Sequence, residues 1–160
     1  MAIGPDEFRA VLGRFASGVT VLTARTESGH DHGMTVSAFC SASLEPPLIL
    51  ACVAHEADMH GVLRRAKHFG VSILAEGQEA LSRRFAELPT SAERFDGIGY
   101  ARGDSGVLLL DDALAHMECR AVAHYEAGDH TIHVGEVERA ETRQHRPLLY
   151  YRGGYAQLER

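Results

Sequence analysis

Gly33-Met34-Thr35-Val36-Ser37-Ala38-Phe39-Cys40-Ser41-Ala42-Ser43-Leu44-Glu45-Pro46-Pro47-Leu48-Ile49-Leu50 joins small hydroxyl residues, a Pro-Pro break and an apolar run. Thr35, Ser37, Ser41 and Ser43 are separated by even numbers of residues. Side chains alternate across a strand, so on extended backbone these four would share one face. Such a face is poor core material. It suits an edge strand with a wet side, or a groove whose hydroxyls and N–H groups receive a planar, polar-edged ligand or its phosphate. Proline removes a ladder donor, so Glu45-Pro46-Pro47 breaks the strand. Leu48 to Val53 then reads as a buried strand.

On the N-terminal side, Phe8, Val11, Leu12 and Phe15 recur at helical spacing and predict a helix over Pro5 to Ala16. Pro5 suits the first helical position and Gly18 can end the helix. Val19 to Ala24 reads as a strand, Thr26 to His30 as a turn, and a second strand runs to Ser37. On the C-terminal side, Asp58 can cap a short helix through Lys67. Phe69 to Leu74 reads as a strand and Gln78 to Leu88 as an amphipathic helix, with Pro89 to Asp104 irregular. Leu114 to Glu126 alternates as a long strand. Ala127-Gly128-Asp129 is a hairpin turn, His130 to Glu141 returns, and Leu148 to Leu158 supplies the last strand or two. Many short strands with few helices predict a mainly β protein, a closed or partly closed barrel. Residues 1–160 read as a single domain without repeat or linker.

Apolar residues make up 45% of the 160, enough for a real core. A net charge of −6 argues against a sequence-independent nucleic-acid binder. Cys40, Cys52 and Cys119 form no CxxC pair, which speaks against a disulfide framework or a zinc site and fits a reducing compartment. Met1 to Glu7 has no signal-peptide pattern, and the apolar run Leu48 to Ala54 is too short to cross a bilayer. The expected location is therefore the cytoplasm, without a membrane partner. His130 and His133 are three apart, which on a strand points them to opposite faces. His30 and His32 share a face only at a turn, so no metal set is expected from spacing. Neither GxGxxG after a strand nor GxxxxGK[ST] is present, so a nucleotide would need another binding mode.

Seven further segments accompany the opening stretch. They are Phe8-Arg9, Phe15 to Thr23, Leu81-Ser82-Arg83-Arg84-Phe85-Ala86, Arg94-Phe95-Asp96-Gly97, Gly128-Asp129-His130-Thr131-Ile132, Gly135-Glu136-Val137, and Pro147 to Tyr155. In this order, from about Phe8 to Leu158, the set resembles the short-chain flavin reductases, the reductase components of two-component flavin-dependent monooxygenases. The resemblance implies an FMN-binding split β-barrel of Greek-key type, working as a homodimer. It places Thr35, Val36, Ser37 and Ala38 along the flavin, with the hydroxyls of Ser41 and Ser43 nearby. Cys52, Val53 and Ala54 match the strand end on its other side. Ser82, Arg83, Arg84 and Phe85 match the helix start associated with the phosphate, an Arg fork beside a hydroxyl being suitable phosphate chemistry. His130 matches the nicotinamide side, and Tyr155 can stack on or cover the ring. Taken alone, Arg83 and Arg84 read equally as a solvated helix face, His130 as a turn histidine bonded to Asp129, and Tyr155 as a finishing core residue.

The implied activity is NAD(P)H:flavin oxidoreduction. Hydride passes from NADH or NADPH to FAD or FMN, and free reduced flavin leaves for a separate monooxygenase or halogenase. The cofactors carry the hydride chemistry, so no acid or base residue is strictly required. Reduction of a specific bound substrate such as a corrinoid, a non-catalytic flavin binder, and a haem-binding split barrel are the other readings of the same fold. The chain departs from its relatives at His55-Glu56-Ala57-Asp58-Met59-His60, where they carry Ser or Thr, and at Ser72, where Asn is frequent.

Overall fold

The computed structural model describes residues 1–159, all but the last residue of the expected domain. The chain runs α1 (Pro5–Leu12), β1 (Ser17–Gly18), β2 (Thr20–Arg25), β3 (Asp31–Val36), β4 (Phe39–Ser43), β5 (Leu48–Ala54), α2 (Asp58–Arg65) and β6 (His68–Ile73). It continues with α3 (Glu79–Glu87), α4 (Ser91–Phe95), β7 (Tyr100–Arg102), β8 (Leu108–Leu110), β9 (Ala115–Ala127), β10 (His130–Thr142), β11 (Leu148–Tyr151) and β12 (Gly154–Gln157).

Seven strands form one antiparallel sheet in the order β3-β2-β6-β9-β10-β5-β4. β3 and β4 sit at opposite edges, yet only Ser37 and Ala38 connect them. Two linking residues reach about 11 Å at most from Val36 to Phe39. The sheet must therefore curl until its edges meet at this link, and it stays unzipped beyond it. This is the expected split barrel. The crossover from β5 through α2 to β6 skips past β10 and β9, a connection of Greek-key type.

One core fills the barrel: Leu22, Ala24, Val36, Ile49, Ala51, Val53, Phe69, Val71 and Cys119, closed by Met59 and Leu63 of α2. A second core lies outside the sheet, where Val19, Val21, Leu74, Leu110 and Leu148 surround Phe85 of α3. β2 is covered on both faces, which explains its unbroken run of buried residues from Thr20 to Ala24.

Several expectations need correction. The row of hydroxyls is not one face. Thr35 lies on β3 and Ser41 and Ser43 on β4, and a register shift between Ser41 and Ser43 interrupts the alternation. The first helix ends at Leu12, where Gly13 caps it, rather than at Ala16. Its stripe reaches no core: Phe8, Val11 and Phe15 are 54%, 59% and 79% exposed. The segment expected to be irregular holds α4 and β7. Its overlooked signal is a capping box, in which the Glu93 N–H donates to Thr90 Oγ1 while Glu93 Oε2 accepts from the Thr90 N–H.

Gly33 marks the tightest contact beneath β3. A Cβ there would come within 2.6 Å of Phe85 Cε1 and 3.0 Å of Phe95 Cζ. Gly61 in α2 has nothing within 4 Å of its Cβ position. Gly33→Ala is expected to destabilise by about 1–3 kcal/mol through overpacking. Gly61→Ala is expected to stabilise by about 0.5–1 kcal/mol through reduced unfolded-state entropy. Urea midpoints at unchanged slope check both, and a Gly33→Ala midpoint at or above wild type would contradict the packing.

Candidate functional site

β4 ends the sheet, so its outward row of N–H and C=O groups has no strand partner. Ser37, Ala38, Cys40, Ser41 and Ala42 are exposed along it, and Ser43 is half-buried. The Cys52 N–H donates to the Ala38 carbonyl at 3.0 Å and fastens the link to β5. Ala54 at the end of β5 pairs with His130, and the next residue, His55, donates its N–H to the Asp129 carbonyl at 2.9 Å. Thus the Ser37-Ala38 link, Cys52, Ala54 and His130 gather at one end of the barrel, while Ser41, opposite Ile49, lies five residues along β5 from Ala54. Val36 and Val53 point into the core, 4% and 0% exposed, so only their backbones face outward.

A second group gathers where α3 meets β3 and β12. Thr35 Oγ1 donates to the Ser82 carbonyl at 2.7 Å. Ser82 Oγ and the Tyr155 hydroxyl share a hydrogen bond of 2.8 Å, and the Arg83 guanidinium lies 4.9 Å from the Tyr155 ring centre. Arg83 is exposed and also donates to Glu79 Oε1 from Nε and Nη2, at 3.1 and 2.9 Å.

The other two residues expected on this helix face elsewhere. Arg84 clamps the end of α4, donating to the carbonyls of Arg94, Glu93 and Asp96 at 2.8, 2.7 and 2.5 Å. Phe85 is fully buried, edge-on to Phe95 at 5.1 Å between centroids. Neither side chain is available to a phosphate. Successive helical residues are rotated by about 100°, so four in a row cannot face one ligand.

His130 Nδ1 meets Asp129 Oδ1 at 2.7 Å. The hydrogen bond from His130 holds the Asp129 carboxyl below its usual range. The turn contact fixes the ring and leaves Nε2 without a partner among the described residues.

Sequence spacing missed a cluster next to this turn. His55 Nε2 lies 2.8 Å from Glu126 Oε2, and Arg64 donates to Glu126 Oε1. His60 Nε2 meets Thr131 Oγ1 at 2.8 Å. The rings of His55 and His60 are 4.9 Å apart, those of His60 and His133 6.0 Å, and those of His133 and His124 4.9 Å. The hydrogen bond from Arg64 keeps the Glu126 carboxyl low. His133 is 1% exposed. Burial, then the neighbouring His124 and His60, pushes it down to about 4. These residues come from β9, β10, α2 and the loop before α2, so no local spacing connects them.

An open cavity of about 850 Å³ between the β2–β3 turn, α2 and the β7–β8 turn contains none of the expected site residues. The exposed end of the barrel fits the expected ligands better. An unpaired strand edge flanked by short hydroxyls can bind the polar rim of a planar ring. Arg83 and Tyr155 offer charge and stacking surface at the second group, whereas Ser82 is fully buried and its hydroxyl is taken up by Tyr155.

Comparison with known proteins agrees with this geometry. Residues 12–159 match the flavin reductase like domain. An NADH-dependent flavin reductase of Rhodococcus sp. is 42% identical over 159 residues, covering 98% of this chain and 88% of the relative. The reductase component of a Thermus thermophilus 4-hydroxyphenylacetate 3-monooxygenase is 44% identical over 154 residues, covering 96% of each. Among solved structures, the Streptomyces globisporus NADH:FAD oxidoreductase SgcE6, in complex with NAD and FAD fragments, superposes with a TM-score of 0.91 at 37% identity, covering 99% of this chain and 97% of that one. The chain belongs to the flavin reductase-like domain family.

The enclosed His133 predicts a pH effect. Its pKa falls from about 6.5 unfolded to about 4 folded, so between these values the unfolded state binds the extra proton. The stabilising contribution is complete above about pH 6.5 and is lost as pH drops toward 4, amounting to about 2 kcal/mol by pH 5. His124, His60, Arg64 and Glu126 surround the ring and are the same in wild type and variant. Urea midpoints at pH 7.5 and 5 should therefore differ less in His133→Phe than in wild type. Equal differences would contradict a neutral buried His133.

Proposed function

We propose that this protein is an NADH:flavin oxidoreductase that reduces FAD or FMN and releases the reduced flavin to a separate flavin-dependent monooxygenase or halogenase. The observation that carries this reading is the single-sided edge strand β4, with exposed Ser37, Ala38 and Ser41, set two strands from His130. Family membership over nearly the whole chain supports it, as do the names of the relatives. When bound, the nicotinamide supplies the hydride and the flavin accepts it.

The chain's own residues bind and align. The backbone from Thr35 to Ala38 and the edge of β4 hold the ring rim, and their N–H groups favour negative charge there. Arg83 and Tyr155 hold the phosphate end, with Arg83 exchanging Glu79 for the phosphate and buried Ser82 anchoring the Tyr155 hydroxyl. His130, oriented by Asp129, borders the nicotinamide through Nε2. Cys52 and Ala54 line the strand beside the ring. No side chain has to donate or remove a proton for hydride to pass.

We also propose a homodimer. The stripe Phe8, Val11, Leu12 and Phe15 of the α1 segment is uncovered, and burying it against a second copy removes it from water. No helix among the described residues is long and apolar enough to cross a membrane, and all three thiols are free, which supports a reducing, cytoplasmic setting for this single-domain chain.

Steady-state NADH oxidation with excess FAD or FMN tests the function. Loss of NADH that scales with free flavin is expected. Flavin binding without NADH loss would overturn the reductase reading in favour of a binding protein. His130→Ala should raise the KM for NADH by about tenfold, near 1.4 kcal/mol, without changing flavin affinity. Arg83→Ala should instead weaken flavin binding by about three- to tenfold. In sedimentation, Phe8→Asp with Phe15→Asp should shift a dimer to monomer; wild-type monomers would refute the dimer.

A further inference from the structure

We propose that His55, His60 and Glu126 form a binding site for a divalent transition-metal ion of the zinc type. One ligand atom from each residue lies within 4.8 Å of the others. Tetrahedral zinc with bonds of about 2.0–2.2 Å needs its ligands about 3.4 Å apart, so a small side-chain rotation closes the set. The chemistry fits: two imidazole nitrogens and one carboxylate oxygen suit zinc and its neighbours better than magnesium or calcium.

The surroundings resemble an outer shell. Glu126 divides its oxygens, with Oε1 held by Arg64 and by Thr131 Oγ1 at 3.3 Å, and Oε2 turned to His55. Thr131 Oγ1 also orients the His60 ring. Such partners fix metal-bound imidazoles and carboxylates in direction. Behind them sits His133, whose enclosed Nε2 has no hydrogen-bond partner among the described residues. The positive Arg64 opposes a dication and limits the affinity. His55 and Glu126 are part-exposed, so the ion keeps at least one position open to water. His55 lies in the loop before α2 and His60 in the first turn of α2. Bound there, the ion would tie that loop and α2 to the end of β9, beside the turn that carries His130.

Isothermal titration of EDTA-stripped, full-length protein with ZnCl2 tests this, with Co²⁺ as a spectroscopic probe. One ion per chain is expected in wild type, with visible d–d absorption for Co²⁺ and a higher melting temperature with Zn²⁺. His55→Ala, an exposed position without a core role, should weaken binding by at least about tenfold. Glu126→Gln should do the same, and His145→Ala, an exposed histidine elsewhere, should change nothing. Absence of binding by wild type would overturn the proposal. So would wild-type affinity in His55→Ala, which would assign the ion to scattered surface histidines.

Discussion

Ser37 and Ala38 join the two edge strands of a seven-stranded sheet, and that short link is the constraint on which the rest of the molecule depends. An open sheet could not satisfy it. The strands must coil until β3 and β4 meet, and the Cys52 N–H on the Ala38 carbonyl fixes the meeting point. Closure at one place and separation elsewhere leave the edge of β4 unpaired at the barrel's end. The same geometry brings the end of β5 beside the β9–β10 turn, so the backbone that closes the barrel also sets His130 near the exposed edge.

Helix α3 shows how one segment divides its work. Ser82 and Arg83 reach Tyr155, Arg84 caps α4, and Phe85 anchors the outer core beneath Gly33. Thr35 Oγ1 on the Ser82 carbonyl then couples this helix to the strand that leads into the link. The region that could hold a phosphate is therefore rigidly connected to the region that could hold a ring, although the two are far apart in sequence. For a reaction that depends on alignment of two planar groups, such coupling matters more than any single acid or base.

The electrostatics divide along similar lines. Exposed pairs such as Arg83–Glu79 contribute little to stability and can exchange partners. The histidine group differs because burial keeps His133 neutral, while the hydrogen bond from Arg64 keeps Glu126 ionised.

Much of this protein is legible along the chain. Alternation marked β6 and β9, an apolar run marked β5, a hairpin turn marked the start of β10, the Pro-Pro pair ended a strand, and the ordered short motifs indicated the family; each is a local or linear property. The capping box at Thr90 and Glu93 was equally readable, and α4 could have been found from it. Tertiary structure alone decided the rest. Four adjacent residues from Ser82 to Phe85 share no ligand because helical rotation sends them to different neighbours. Thr35 and Ser41 share no face because a two-residue turn separates edge strands. His55, His60, Glu126 and His133 meet only because α2, closing the barrel core through Met59 and Leu63, brings His60 and Arg64 beside the end of the β9–β10 hairpin, and spacing within a strand carries no record of contacts between elements.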